Sequence, residues 1–213
     1  MKFSTIPVHG VSTTDERHKE AEGAHVPPIY QTSTFLFDDV AQGGKAFSTP
    51  DHAGSHIYTR ISNPNNNALE KAITALECYD LDAQEYTSLV FGTGMAAISS
   101  SIMALAKKGR ILAQDALYGC SSQLLFEQAP EWGIEATFID FTDVNAFEHA
   151  LMTHKDVKVV YMESITNPTM RVAPLDKIIE ISHQHNALVI VDNTFASSMY
   201  CRPLNFGADV VIH

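Results

Sequence analysis

An α/β fold with a largely parallel sheet is the class that this 213-residue sequence predicts. From residue 66 onward, short apolar runs alternate with stretches of about 10–13 residues that have helical spacing, as in chains whose parallel strands are joined by helices. The apolar runs are almost continuous in Val and Ile, which is typical of strands covered on both faces. We therefore expect flanking helices on both sides of the sheet.

The individual elements follow in a regular order. Leu69, Ile73 and Leu76 recur at helical spacing and predict a helix over 66–78. Asp143 is an N-cap signal for a helix over 143–152. The predicted strands are 87–91, 111–113, 136–139, 157–162, 187–191 and 209–213, and the other predicted helices are 94–107, 121–131 and 175–185.

Residues 1–65 lack this alternation and are predicted to form an N-terminal arm. Turns with Pro and Gly interrupt them, and their apolar side chains need a covering surface. A neighbouring subunit would cover them, and an arm folded over its own domain is the alternative. Residues 66–213 would then be the large domain. Because the chain ends on a buried-strand pattern at 209–213, we expect this domain to be truncated.

The composition argues against several classes of protein. The net charge of −11 is unlike that of a nucleic-acid-binding surface. No apolar run approaches the ~20 residues of a membrane helix, and the first residues lack the core of a signal peptide. Cys78, Cys120 and Cys201 are odd in number and lack metal-ligand spacing. We therefore expect a reduced, cytoplasmic compartment and no metal site.

Ligands of open α/β sheets bind beyond the carboxyl ends of the strands, so the residues there are candidates for a site. After 87–91, Gly92 and Gly94 lead into a helix whose free N–H groups suit a phosphate, and a tight turn is the alternative. No lysine stands where a P-loop would have one. After 111–113, Tyr118 could stack on a flat ring, and a core or surface aromatic is the commoner alternative.

Polar side chains also follow two later strands. Glu163 comes directly after 157–162, where a free carboxylate is costly unless it is paired. Asn167 precedes a proline and is held extended, although a simple turn is the alternative. Asp192 ends a buried strand and needs a cationic or proton-donating partner. A pyridinium nitrogen would serve, and a structural ion pair or a metal is the alternative.

In this order and spacing, the strand-end segments resemble the Cys/Met-metabolism family of pyridoxal-phosphate (PLP) enzymes over essentially the whole chain. YTRISNP at 58–64 looks like the family's Tyr-Ser-Arg-x-x-Asn-Pro, and VPPIYQTSTF at 26–35 looks like its N-terminal signature. VDNT at 191–194 is similar to the start of the segment that leads to the cofactor lysine. The resemblance implies a PLP-dependent transferase fold of type I, aspartate aminotransferase-like.

The resemblance implies roles for several residues in binding PLP. Gly94 and Met95 would give backbone N–H groups to the phosphate, and Asn167 would lie near the ring hydroxyl. Tyr118 would stack on the ring, and Asp192 would pair with its nitrogen. The complete implied set of cofactor-binding residues is Tyr58, Arg60, Thr93, Gly94, Met95, Tyr118, Asn167, Asp192 and Thr194.

The resemblance also implies an assembly and a missing part. Tyr58 and Arg60 would reach the phosphate of a neighbouring subunit, in a homotetramer built from dimers that share active sites. The cofactor lysine would fall about four residues beyond His213, and a C-terminal domain would follow. We therefore expect residues 1–213 alone to have no turnover. A non-catalytic partner subunit is an alternative of another class, and a nucleotide-binding α/β domain is a third.

Within the family, Tyr118-Gly119-Cys120 looks most like methionine γ-lyase, whose cysteine lies near the substrate. The implied reaction is cleavage of the γ carbon–sulfur bond of a sulfur amino acid, which from methionine gives methanethiol, 2-oxobutanoate and ammonia. Tyr118 would protonate the leaving sulfur. The alternative is the chemistry of O-acetylhomoserine sulfhydrylase or of a cystathionine synthase or lyase. For Cys120, a small buried residue without a selectivity role is the alternative.

Overall fold

The computed structural model describes residues 2–9, 26–48 and 56–213. The chain divides into two compact units, Met1–Val90 and Phe91–His213. The predicted arm of 1–65 and large domain of 66–213 stay a prediction, and 10–25 and 49–55 of that arm lie outside the described residues. Within the described part, no helix has both the length and the apolar character needed to cross a membrane.

The first unit contains the helices α1 (Ile6–His9), α2 (Val40–Ser48) and α3 (Pro64–Glu77). Short 3₁₀ turns lie at Phe3–Thr5 and Ala83–Glu85. Helix α3 begins where it does because the Asn63 side chain accepts a hydrogen bond from the backbone N–H of Asn65 at 2.9 Å. Pro64 occupies the first helical position, where its missing N–H costs nothing. Helix α3 confirms the helix predicted over 66–78.

The prediction of a strand over 87–91 is wrong. Side chains of α3 bind this segment, because Val90 N–H donates to Glu70 at 3.1 Å and the hydroxyls of Thr74 and Ser88 lie 2.7 Å apart. Its Leu89 is 72% exposed. A short apolar run indicates a tendency to be buried, but it does not say whether a neighbouring strand is available for pairing.

The second unit contains a five-stranded parallel sheet in the order β2-β1-β3-β4-β5. The predicted α/β class with a parallel sheet is thereby confirmed. The strands are β1 (Arg110–Gln114), β2 (Glu135–Ile139), β3 (Val157–Glu163), β4 (Leu188–Asp192) and β5 (Val210–Ile212).

Five helices surround this sheet: α4 (Gly94–Ala106), α5 (Gly119–Gln123), α6 (Val144–Thr153), α7 (Leu175–Gln184) and α8 (Ser197–Tyr200). The N-cap predicted for α6 is confirmed, because the Asp143 carboxylate accepts the N–H of Ala146 at 3.0 Å. The helix predicted over 121–131 is irregular instead. After α5 it continues as a π-helix (Leu124–Gln128) and a 3₁₀ turn (Ala129–Trp132). Pro130 lacks the N–H that a regular continuation would need.

Both faces of the sheet are buried, as the Val/Ile runs predicted. Alternate residues of β3 and β4 point to opposite faces. Val160 and Val189 join a core with α6 and α7, whereas Val159 and Ile190 join a core with α4. Helices thus cover both faces, and the carboxyl edge of the strands is where polar side chains gather.

Candidate functional site

Two buried carboxylates lie side by side at the carboxyl edge of the sheet. Glu163 ends β3 and Asp192 ends β4, and the two residues are partners in the register of these strands. Glu163 is 4% exposed and Asp192 is 9% exposed. Among the described residues, no Lys, Arg or His lies within ion-pair distance of either carboxylate. Two like charges in this position need donors or a cation to be stable.

Glu163 obtains its donors from two separate backbone segments. One carboxylate oxygen accepts the N–H of Tyr118 at 2.6 Å, and the other accepts the N–H of Asn167 at 2.7 Å. Burial raises the pKa of Glu163, the two N–H donors act against that rise, and the charge of Asp192 adds to it. The structure therefore brings together the segments of Tyr118 and Asn167, both of which are predicted site residues.

Asp192 uses its two oxygens unequally. Its Oδ1 atom accepts both the backbone N–H of Thr194 at 3.0 Å and the Thr194 hydroxyl at 2.6 Å. Among the described residues, its Oδ2 atom has only a long contact, 3.5 Å, from the hydroxyl of Tyr161. Burial, and then the charge of Asp192, raise the pKa of Tyr161, which therefore stays a neutral donor. Oδ2 thus has capacity for a stronger partner.

The N-terminus of α4 is open to an anion. Thr93 caps the helix, since its hydroxyl accepts the N–H of Ala96 at 3.1 Å. Within the described part of the chain, the N–H groups of Gly94 and Met95 have no acceptor. Gly94 is exposed, and a Cβ built on it would meet nothing within 4 Å. Two free donors at the positive end of a 13-residue helix suit a phosphate or carboxylate.

A series of side chains connects this helix end with Asp192. The hydroxyl of Ser121 lies 3.9 Å from the sulfur of Met95 and 3.4 Å from the hydroxyl of Tyr161, which in turn contacts Asp192. These distances are long, so each contact is weak. They nevertheless place the open helix end and the buried carboxylate at the same edge of the sheet.

Tyr118 and Cys120 lie at the start of α5, and both are exposed to solvent. Tyr118 is 44% exposed, and Cys120 is exposed as well. Within the described residues, neither side chain is buried, and the roles predicted for Tyr118 and Cys120 stay predictions. A side-chain hydrogen bond with Cys120 is the main cause that raises the pKa of Tyr118, so its hydroxyl remains a proton donor over a wider pH range.

Tyr58 and Arg60 lie in the first unit, apart in the chain from the other candidates. Tyr58 forms an isolated antiparallel bridge with Thr34, which supports a stretch that has no regular structure. The guanidinium of Arg60 lies 4.9 Å from the centre of the Tyr58 ring, within the range of a cation–π contact. Arg60 is exposed, so its charge is accessible.

An ion-pair cluster that sequence reasoning missed ties together the loops at the edge of the sheet. Arg171 binds Asp115 at 2.5 Å and Asp140 at 2.9 Å, which are the residues just beyond β1 and β2. Hydrogen bonds from Thr142, and then Arg171, lower the pKa of Asp140. No local pattern signals these pairs, because they join residues far apart in sequence. In the described ranges, no group of three His, Cys, Asp or Glu side chains is placed to hold a metal ion.

Comparison with known proteins identifies the family of this chain. The family described as Cys/Met metabolism PLP-dependent enzyme matches residues 4–213. An L-methionine gamma-lyase of Fusobacterium nucleatum subsp. polymorphum is 39% identical over 197 residues, which are 92% of this chain and 47% of that protein. A homocysteine/cysteine synthase of Kluyveromyces lactis is 34% identical, over 99% of this chain and 45% of that protein. The chain spans about half the length of the curated relatives it matches.

Solved structures agree with this match. Cystathionine gamma-lyase of Lactobacillus plantarum, in complex with L-serine, superposes with a TM-score of 0.82 at 29% identity, over 99% of this chain and 49% of that one. A protein of Campylobacter jejuni, provisionally named O-acetylhomoserine (thiol)-lyase, carries N'-pyridoxyl-lysine-5'-monophosphate. It superposes with a TM-score of 0.83 at 25% identity, over 99% of this chain and 48% of that one. The sheet described above is therefore that of a PLP-dependent fold, and the chain belongs to the Cys/Met metabolism PLP-dependent enzymes.

Proposed function

We propose that the protein carrying this chain cleaves the γ carbon–sulfur bond of a sulfur amino acid with the help of PLP, as a methionine γ-lyase does. The observation that carries this proposal is the buried carboxylate of Asp192, which has no cation within ion-pair distance among the described residues. A protonated ring nitrogen is a cation of suitable size. PLP supplies an electron sink when it is bound, and an Asp beside the ring nitrogen strengthens that sink.

The residues at the edge of the sheet fit PLP by their chemistry. The free N–H groups of Gly94 and Met95, beside the cap Thr93, would bind the phosphate. The exposed ring of Tyr118 would cover the flat face of the cofactor, and the amide of Asn167 would lie near its hydroxyl. Thr194 would orient Asp192 through its two hydrogen bonds, and Tyr58 and Arg60 would serve the site of a neighbouring subunit.

Tyr118 would also act in the chemistry. Departure of a thiolate from the γ carbon needs a proton at the leaving sulfur. A tyrosine hydroxyl is protonated at neutral pH, and Cys120, which raises the pKa of Tyr118, keeps it protonated, so the hydroxyl can give that proton. Cys120 lies two residues further on, exposed beside the same ring, where it would contact the substrate.

A γ-replacement reaction on the same scaffold is the second candidate. The homocysteine/cysteine synthase relative and the structure named O-acetylhomoserine (thiol)-lyase favour it. The two reactions would share the cofactor and the proton donor. In the lyase reaction a thiol leaves the γ carbon and is not replaced, whereas in γ-replacement on O-acetylhomoserine acetate leaves and sulfide or a thiol takes its place.

Substrate assays separate the two candidates. We expect the protein produced from its complete coding sequence, supplied with PLP, to release methanethiol and 2-oxobutanoate from methionine. Turnover of O-acetylhomoserine with sulfide, while methionine remains inert, would overturn the lyase proposal in favour of γ-replacement. PLP binding without turnover of either substrate would favour the non-catalytic partner subunit instead.

The first unit supports an assembly of several copies. Ile29 is 87% exposed and Leu36 is fully exposed, and an apolar groove of about 620 Å³ lies beside Leu36 and Phe47. Contiguous apolar surface of this kind commonly marks an interface. A homotetramer built from dimers that share their sites would cover this apolar surface. We place that assembly in the cytoplasm. We expect light scattering on the protein to give four times the mass of one chain, and a monomer would contradict this assembly.

A further inference from the structure

The carboxylate of Glu163 joins two segments that the proposed function places in contact with the cofactor, that of Tyr118 and that of Asn167. Its Oε1 atom accepts the N–H of Tyr118, 45 residues away in sequence, at 2.6 Å. Its Oε2 atom accepts the N–H of Asn167, at 2.7 Å. Both bonds are short and charge-assisted, which makes them about twice as strong as bonds between neutral groups.

The sheet fixes the position of Glu163. Glu163 is the last residue of β3, which is paired with β1 on one side and β4 on the other. The side chain of Gln114 accepts the N–H of Glu163 at 3.1 Å, at the point where β1 turns away. The carboxylate is 4% exposed, so water competes little for its oxygens. The positions of both oxygens are therefore set by the sheet.

Within the ranges that the structure describes, the backbone N–H groups of Tyr118 and Asn167 have no acceptor other than Glu163. Tyr118 stands in the connection from β1 to α5, and Asn167 stands in the loop after β3. Tyr118 is exposed and Asn167 is half-buried, whereas their neighbours Leu117 and Thr166 are buried. The core therefore holds the residues next to them, and the carboxylate holds the N–H groups of Tyr118 and Asn167 themselves. The Glu163 carboxylate thus fixes the separation of the two backbones, and through them the separation of the two side chains.

We propose that Glu163 is a positioning residue of the cofactor site, which holds the ring-stacking Tyr118 and the ring-hydroxyl contact Asn167 at one fixed spacing. This proposal rests on the proposed function, because that function assigns Tyr118 and Asn167 their contacts with PLP. Glu163 acts through the backbone of both residues. It needs two acceptor oxygens for this, and only a carboxylate of this length offers both.

The substitution Glu163→Gln distinguishes the positioning role of Glu163 from a role in filling buried space alone. A glutamine side chain has the same size, but it has one acceptor oxygen and an NH₂ group that would face the second N–H. One backbone donor is then left without an acceptor, and its segment is released. Glu180→Gln is the matched control, since Glu180 lies exposed on α7 and its ion pair, at 3.2 Å, is with the exposed Lys177.

The experiment measures PLP binding to the protein produced from its complete coding sequence, together with the visible circular dichroism of the bound cofactor. We expect Glu163→Gln to bind PLP about tenfold more weakly and to change the visible dichroism, with far-ultraviolet dichroism retained. Glu180→Gln should match the wild type in all three. Unchanged PLP affinity and visible dichroism in Glu163→Gln would overturn the positioning role alone. Failure of the wild type to bind PLP would overturn the proposed function.

Hydrogen exchange on the wild type tests the same role without a substitution. We expect the backbone amides of Tyr118 and Asn167 to exchange slowly despite their position near the surface, because a buried carboxylate accepts both. Rapid exchange of either amide would overturn the proposal even if Glu163→Gln does not fold.

Discussion

Replacing Asp192 by asparagine should lower the turnover of the protein by roughly 10²–10³-fold, the effect of removing one electrostatic stabilising group from an active site. Asparagine keeps the oxygen that accepts both bonds from Thr194, so the turn after β4 should be retained. It loses the negative charge that would hold a proton on the ring nitrogen. Steady-state turnover and PLP affinity, measured on the same preparation, report this change.

Asp143→Asn is the matched control for that substitution. Asp143 caps α6 through one oxygen, and asparagine caps helices as well as aspartate does. Turnover of the control should equal that of the wild type. An Asp192→Asn protein with wild-type turnover would contradict the proposed pairing of the Asp192 carboxylate with the ring nitrogen, on which the proposed function rests.

Replacing Tyr118 by phenylalanine should separate stacking from proton transfer. The ring remains, so we expect PLP affinity to stay within about twofold, since the hydrophobic and stacking contribution is unchanged. The hydroxyl is lost, so turnover should fall about 10²-fold or more, as for loss of a general acid. Cofactor titration and a stopped assay of 2-oxobutanoate would give the two numbers.

Tyr200→Phe serves as the control, because Tyr200 is 91% exposed on α8. It should leave both PLP affinity and turnover unchanged. If Tyr118→Phe kept full turnover, the proton would come from another group. If it lost PLP affinity and turnover in proportion, the hydroxyl would serve binding.

The order of strands and helices was predictable because its signals are local. Asp143 marks the start of α6, because its side chain accepts the N–H of Ala146, three residues further on. The Val/Ile runs of β3 and β4 indicate burial on both faces of the sheet. The segment 87–91 has a similar apolar run and yet forms no strand, since pairing depends on neighbours that a local pattern does not describe.

The candidate site was predictable only as a set of separate strand-end residues. Sequence reasoning recognised that Glu163 needs a partner, but its partner Tyr118 lies 45 residues away and contributes a backbone N–H that any residue except proline would have. The bonds of Arg171 to Asp115 and Asp140 are hidden for the same reason. Contacts between loops follow from strand order and register, which appear only once the chain is folded.

The most direct test of the proposed cofactor site is a crystal structure of the protein, produced from its complete coding sequence, with PLP bound. We predict that the ring nitrogen lies within hydrogen-bond distance of Asp192 and that the phosphate accepts the N–H groups of Gly94 and Met95. A cofactor bound elsewhere, or with its ring nitrogen away from Asp192, would contradict the assignment of this edge of the sheet as the cofactor site.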